Sequence, residues 1–209
     1  MTPPDLIAIT DDALSDDEIE QRATHILSAV PVGSTALQLR DRQRTSRALL
    51  ALAERLRCLS ARHRAPLLVN DRIDIACAVA ADGVHLGGRS VDIADARRLL
   101  GREAFVSVAA HDVADVEAAA RGGATAALVS PIYTTPGKGA PRGPAFLSEA
   151  RARAAELLLY ALGGIDPARA VECAGAGAYG VAAIRSIWTE RDGGSAACAM
   201  VAAVRARRR

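Results

Sequence analysis

The feature that most limits what this chain can fold into is a rhythm. Short runs rich in Val, Ile, Leu and Ala fall at 6–10, 36–40, 66–70, 83–86, 105–109, 126–130, 157–162 and 180–184. They alternate with longer stretches whose apolar residues recur at helical spacing. Apolar runs this short, with little polar alternation, read as strands covered on both faces, and parallel strands need crossover helices between them. Eight such units of roughly 26 residues predict an α/β fold, a single-domain (β/α)8 TIM barrel near the lower size limit.

The helical stretches carry start signals. Ser15 to Glu18 has capping-box form, followed by Ile19, Ala23, Ile26, Leu27 and Val30 on one face. Thr45-Ser46, Asp92, Asp112 and Asp166-Pro167 open further helices, the last ending near Gly175, and the chain from Ala196 is helical in composition. A doubly wound dinucleotide-binding sheet is the competing fold, because Gly175-Ala-Gly177-Ala-Tyr-Gly180 spells G-x-G-x-x-G. That motif follows a helix and leads into a strand, the reverse of the dinucleotide fingerprint, so a helix C-cap and turn is expected instead.

Composition narrows the class. Of 209 residues half are hydrophobic and 24% charged, enough for a sizeable core in one domain over 1–209, with a basic tail at about 203–209. The 26 basic residues nearly balance 24 acidic ones, for a net +2, so the charge gives no reason to expect nucleic acid as a partner. Cys58, Cys77, Cys173 and Cys198 lie far apart without a C-x-x-C pair, which argues against zinc or a disulfide framework. With no apolar run of roughly 18 residues and no leader-like N-terminus, no membrane role and a cytoplasmic location are expected. A homodimer is left open.

In such a barrel the chemistry sits at the C-terminal ends of the strands. Reading those positions gives Thr10 and Asp11, Gln38, Arg40 and Arg42, Asn70 and Asp71, Gly87 to Ser90, His111, Ser130 to Lys138, Gly163 and Gly164, and Arg185 with Ser186. Gly163-Gly164 before the Asp166-Pro167 helix start, and Arg185-Ser186 after strand eight, suit a phosphate held by free backbone N–H groups, the alternative being that the glycines only make a tight turn. Arg40, Arg42 and Lys138 add cations to the same face. Asn70-Asp71 suits Mg²⁺ on a pyrophosphate; equally, Asp71 can cap the next helix or pair with Arg72. Lys138 is the single lysine among the 26 basic residues, and its Gly-, Pro- and Thr-rich loop reads as a flexible lid with a charged tip. A Schiff-base lysine would have to be buried. His85, inside a strand, reads as a core histidine; His111 is a candidate base.

These residues also resemble a known family. Gln38-Leu-Arg40, Val69-Asn70-Asp71-Arg72-Ile-Asp74, Ala81-Asp82-Gly83-Val84-His85-Leu86-Gly87, Ser130-Pro-Ile-Tyr-Thr-Thr135, Gly163-Gly164-Ile165 and Ala176-Gly177-Ala178-Tyr179-Gly180-Val181 are similar to the thiamine phosphate synthases and their sister thiazole tautomerases, in order and over nearly the whole chain. The resemblance implies a transferase that joins hydroxymethylpyrimidine pyrophosphate to thiazole phosphate, with Mg²⁺ helping pyrophosphate leave and the thiazole nitrogen capturing a pyrimidine cation. It implies that Gln38 touches the pyrimidine, that Arg40, Asn70 and Lys138 bind the pyrophosphate, and that Asp71 ligates Mg²⁺. Thr135 would meet a substrate phosphate, and Gly164 with Ile184 and Arg185 would hold the thiazole phosphate. Arg42 and Gly137 occupy substrate-binding positions where the family has a lysine and a second threonine. Other departures are Ser90 in place of a second metal carboxylate, Ala109 for a serine ending strand five, and Arg185 for a serine after strand eight. Asp92, two residues beyond Ser90, is the nearest candidate replacement. Without metal and pyrophosphate, the same barrel would suit the tautomerase reaction, with His111 as base, or a phosphate-binding protein without catalysis.

Overall fold

A computed structural model describes residues 2–189 and 191–208. Its strands are β1 (Leu6–Ile9), β2 (Thr35–Leu39), β3 (Leu67–Asn70), β4 (Gly83–Leu86), β5 (Phe105–Ala110), β6 (Ala126–Val129), β7 (Leu158–Leu162) and β8 (Gly180–Ala183). Each pairs in parallel with the next and β8 returns to β1, closing the expected barrel. The strand cores match the sequence reading; the ends move by a residue or two.

The helices are α1 (Asp16–Ala29), α2 (Ser46–His63), α3 (Ile73–Ala78), α4 (Ile93–Leu100), α5 (Val113–Arg121), α6 (Ala145–Arg153), α7 (Pro167–Gly175) and α8 (Gly193–Ala206). Ser15 and Glu18 form the reciprocal capping box, and Thr45, Asp112 and Asp166 each accept from the backbone N–H three residues on. Asp92 sits at the N-cap of α4 without a side-chain cap bond. Two short helices, α3 and α6, carry no readable start: their N-cap residues are Arg72 and Pro144, neither with a capping side chain. The G-x-G-x-x-G motif is the turn from α7 to β8, as expected. Gly177, at φ +99°, supplies the left-handed step that brings the chain from helix to strand.

Two apolar layers result. One lies between strands and helices, with Leu6, Leu37, Leu67, Val84 and Val106 facing outward onto Ile26, Leu52, Ala76 and Met200. The other fills the barrel: Ile7, Ile9, Leu68, Phe105, Leu128, Tyr160 and Ala182. Toward the C-terminal ends of β2 to β5 this interior turns polar, with Gln38, Asn70, His85 and Ser107, the last three on directly paired strands in register. No helix among the described residues is long and apolar enough to cross a membrane.

Candidate active site

The polar inner layer opens onto the mouth and organises it. Gln38 is buried, and its Nε2 donates to Asn70 Oδ1 at 3.1 Å, while its own Oε1 is buried without a partner. Asn70 Nδ2 in turn donates to Asp71 Oδ2 at 2.7 Å. Asp71 neither caps α3 nor pairs with Arg72, whose guanidinium goes to Asp74 at 2.6 Å. Its backbone is left-handed, φ +59°, a conformation an aspartate tolerates, and its N–H donates to the His85 carbonyl at 2.9 Å. Asp71 Oδ1 accepts from the Gly87 N–H at 2.9 Å and from the Ser90 hydroxyl.

His85 is buried and its Nδ1 lies 3.0 Å from Ser107 Oγ. Burial holds its pKa down to about 4, with the Arg40 charge adding to the effect and Asp71 opposing it, so it is a neutral ring at neutral pH, the core histidine the sequence suggested. His111 is exposed and bonds through Nδ1 to the Ser130 carbonyl at 2.8 Å.

Arg40 is half-buried just past β2, where its N–H and carbonyl bracket the Thr10 hydroxyl at 2.8 and 2.9 Å. Its side chain has no carboxylate partner among the described residues, whereas Arg42, more exposed, lies 3.6 Å from Asp12. The loop carrying both is braced by residues the sequence reading passed over. Asp41 accepts from the Gln43 and Arg44 N–H groups at 2.8 Å and pairs with the Arg44 guanidinium, which also reaches Asp16 at 2.6 Å. The D-x-x-R spacing was the available signal.

Across the mouth, the β6–α6 loop is tied at its base and open at its tip. Ile132 and Tyr133 N–H groups donate to the Leu162 and Gly163 carbonyls, and Arg142 and Gly143 return to the Pro131 and Ile132 carbonyls. Thr135 donates to the Tyr133 carbonyl at 3.0 Å and accepts, through its own carbonyl, from the Lys138 N–H at 3.1 Å. Gly137 makes the bend between them at φ +73°. Lys138 is exposed, without the burial that a Schiff-base amine requires. Tyr133, inside the Ser130–Lys138 stretch but without a role of its own at the sequence level, donates to Glu172 on α7 at 2.6 Å under the Arg169 guanidinium, 4.6 Å above its ring.

Gly164 completes that wall at φ +66°; a Cβ there would lie 3.0 Å from Tyr133 Cβ and 3.1 Å from the Thr134 carbonyl oxygen. Beyond β8, Ile184 is half-buried and Arg185 exposed, and Ser186 donates to the Ile165 carbonyl at 2.7 Å, bringing the β7 and β8 loops together. So Gln38, Asn70 and Asp71 form one bonded chain, Thr135 and Gly164 lie in one wall with the Lys138 loop, and Ile184 and Arg185 adjoin it. No acidic residue bonds to Asp71, and no group of three or more His, Cys, Asp or Glu at metal spacing occurs among the described residues. Asp92 instead borders a cleft of about 470 Å³ between α4 and α5 that also touches Gly87, Gly88 and Ser90.

Known proteins match along this whole frame. The family model for thiamine monophosphate synthase, TMP-TENI, matches residues 6–187. A bifunctional ThiM/ThiE thiamine biosynthesis protein of Symbiobacterium thermophilum is 40% identical over 86% of this chain, which spans 38% of that protein's length. The thiamine-phosphate synthase of Roseiflexus castenholzii is 40% identical over 77% of this chain and 71% of its own. The solved thiamine phosphate pyrophosphorylase of Pyrococcus furiosus superposes with a TM-score of 0.85 and 25% identity, covering 97% of this chain and 96% of that one. With the model spanning the barrel from β1 to the loop after β8, the chain belongs to the thiamine monophosphate synthase family.

Proposed function

We propose that the protein is a thiamine phosphate synthase, a transferase that moves the pyrimidinylmethyl group of hydroxymethylpyrimidine pyrophosphate onto the nitrogen of thiazole phosphate and releases pyrophosphate. The observation that carries this is the bonded chain Gln38–Asn70–Asp71 at the mouth, which ends inward on a buried acceptor, Gln38 Oε1, with no donor of its own. An unpaired buried acceptor costs about 1–3 kcal/mol, and the amino group of a pyrimidine is a donor that would satisfy it. Arg40 and Lys138, cations without a carboxylate partner among the described residues, reach the pyrophosphate from opposite sides of the mouth, and Arg42 extends this set.

Asp71 fits Mg²⁺ through one oxygen, as described below, and an Mg²⁺ held there with phosphate oxygens and water would neutralise charge on the departing pyrophosphate. The chain's residues orient and stabilise: Asn70 and Arg40 bond the pyrophosphate, Lys138 follows its negative charge, and Gln38 fixes the ring so that the methylene carbon faces the thiazole. Gly164 and the Ile184–Arg185 backbone hold the thiazole phosphate, with Thr135 and Gly137 lining the approach. Partners are thus small phosphorylated pyrimidines and thiazoles, and four free thiols suit a reducing cytoplasm.

Incubation with both substrates and Mg²⁺ is expected to release pyrophosphate. Lys138→Ala should lower that rate by about ten- to a hundredfold, the loss of a hydrogen bond to a charged group, with no change in melting temperature. No release, alongside aromatisation of a thiazole phosphate carboxylate, would establish the tautomerase reaction instead.

A further inference from the structure

Asp71 is held from three sides. A carboxylate offers about four lone-pair positions on its two oxygens. On Oδ1 both are used, by the Gly87 N–H at 2.9 Å and by the Ser90 hydroxyl; on Oδ2 one is used, by Asn70 Nδ2 at 2.7 Å. One position remains, on Oδ2. Nor can the carboxylate turn to offer both oxygens. Asp71 is fixed by its own left-handed backbone and its bond to the His85 carbonyl, Asn70 is fixed by Gln38, and the turn holding Ser90 is closed by Ser90 N–H to the Gly87 carbonyl at 3.1 Å. The Gly87 N–H also points at Ser90 Oγ, 2.8 Å away, so that the serine hydroxyl accepts there and spends its proton on Asp71. Beside it, Arg89 is exposed and cationic.

We propose that Ser90 is a positioning residue for a one-carboxylate metal site: its hydroxyl saturates Asp71 Oδ1 and leaves Oδ2 as the single protein ligand, so that a divalent ion is taken up only together with a diphosphate. A hard, octahedral ion takes water and phosphate oxygens readily but needs enough negative charge to lose part of its water shell. A single exposed carboxylate next to an arginine supplies too little; a diphosphate between Asp71, Arg40 and Lys138 supplies the rest. This rests on reading the site as one that receives a diphosphate.

The test uses Mn²⁺ and inorganic pyrophosphate, with protein-bound Mn²⁺ followed by water-proton relaxation enhancement, a signal that a small Mn²⁺–pyrophosphate complex does not give. The native protein is expected to give no enhancement with Mn²⁺ alone and a saturable one once pyrophosphate is added. Ser90→Thr, which keeps the hydroxyl, should match it. Ser90→Ala should weaken the pyrophosphate-dependent binding about tenfold with melting temperature unchanged, because Asp71 loses its fixed orientation. Ser90→Asp should bind Mn²⁺ without pyrophosphate. Tight binding of Mn²⁺ alone by the native protein, or Ser90→Ala equal to native with pyrophosphate present, overturns the proposal. Binding is read without turnover, so an inactive protein that behaves as expected here would refute the synthase reading and leave the metal site standing.

Discussion

Cys173 should be the slowest of the four thiols to react, and the reason is the wall of the site. Cys58, Cys77 and Cys198 are exposed, but Cys173 is buried under Tyr133, and burial pushes its pKa up to about 11, with Tyr133 hydrogen bonding opposing the shift only in part. Thiol titration at pH 8 should therefore give three fast equivalents and a fourth only on denaturation. A fourth fast equivalent would mean that the Tyr133 loop lifts off α7. At this scale the sequence was informative where position alone decides the role. Gln38, Asn70 and Gly164 end or follow strands, and in a barrel that places them at the mouth. The role of Ser90 was hidden, because its bond to Asp71 joins residues 19 apart and exists only once β3 lies beside β4. Tyr133–Glu172, 39 apart, was hidden for the same reason.

Among the helices, the ones with a capping signature were legible. Helices α1, α2, α5 and α7 announce themselves through side chains that bond their own first turn, whereas α3, six residues long, is too short for a periodic stripe and α6 follows a glycine- and proline-rich loop. The β7–α7 turn is the case in which element geometry and site coincide. Gly164 is left-handed and packed against Tyr133 and Thr134, so Gly164→Ala adds a strained backbone and a Cβ that forces the β6–α6 loop outward. The strain costs roughly 1–2 kcal/mol, which lowers the melting temperature by about 2–8 °C in a chain of this size. The displaced loop should raise the KM for thiazole phosphate several-fold, with a smaller effect on the KM for the pyrimidine diphosphate. Equal changes in both constants would show that the turn serves stability alone.

For the whole molecule, the residues near both chain ends meet at the bottom of the barrel, opposite the mouth. Asp5, just before β1, has a nearly buried side chain, 6% exposed, that pairs with Arg205 and Arg208 from the end of α8, each at 2.7 Å. Arg208 also lies 3.8 Å above the Tyr179 ring, and the Tyr160 hydroxyl closes the interior by donating to the Pro4 carbonyl at 2.6 Å. The basic run at the end of the chain thus has a structural use in its described part, clamping β1 and β8 where the barrel seam closes. A fully buried pair broken on one side costs about 3–5 kcal/mol. Here the arginines are 43% and 34% exposed, so solvent screening reduces that to roughly 2 kcal/mol for Arg205→Ala with Arg208→Ala. The double variant should melt about 4–8 °C lower. Adding Asp5→Asn should recover part of that loss, since the neutral amide no longer strands a buried charge, whereas simple loss of helix packing would not be relieved. Because the clamp and the mouth sit at opposite ends of the strands, pyrophosphate release per folded molecule should stay at the native rate below the melting transition; a fall in rate at a temperature where the variant is fully folded would mean that the seam also sets the spacing of Gln38, Asn70 and Asp71.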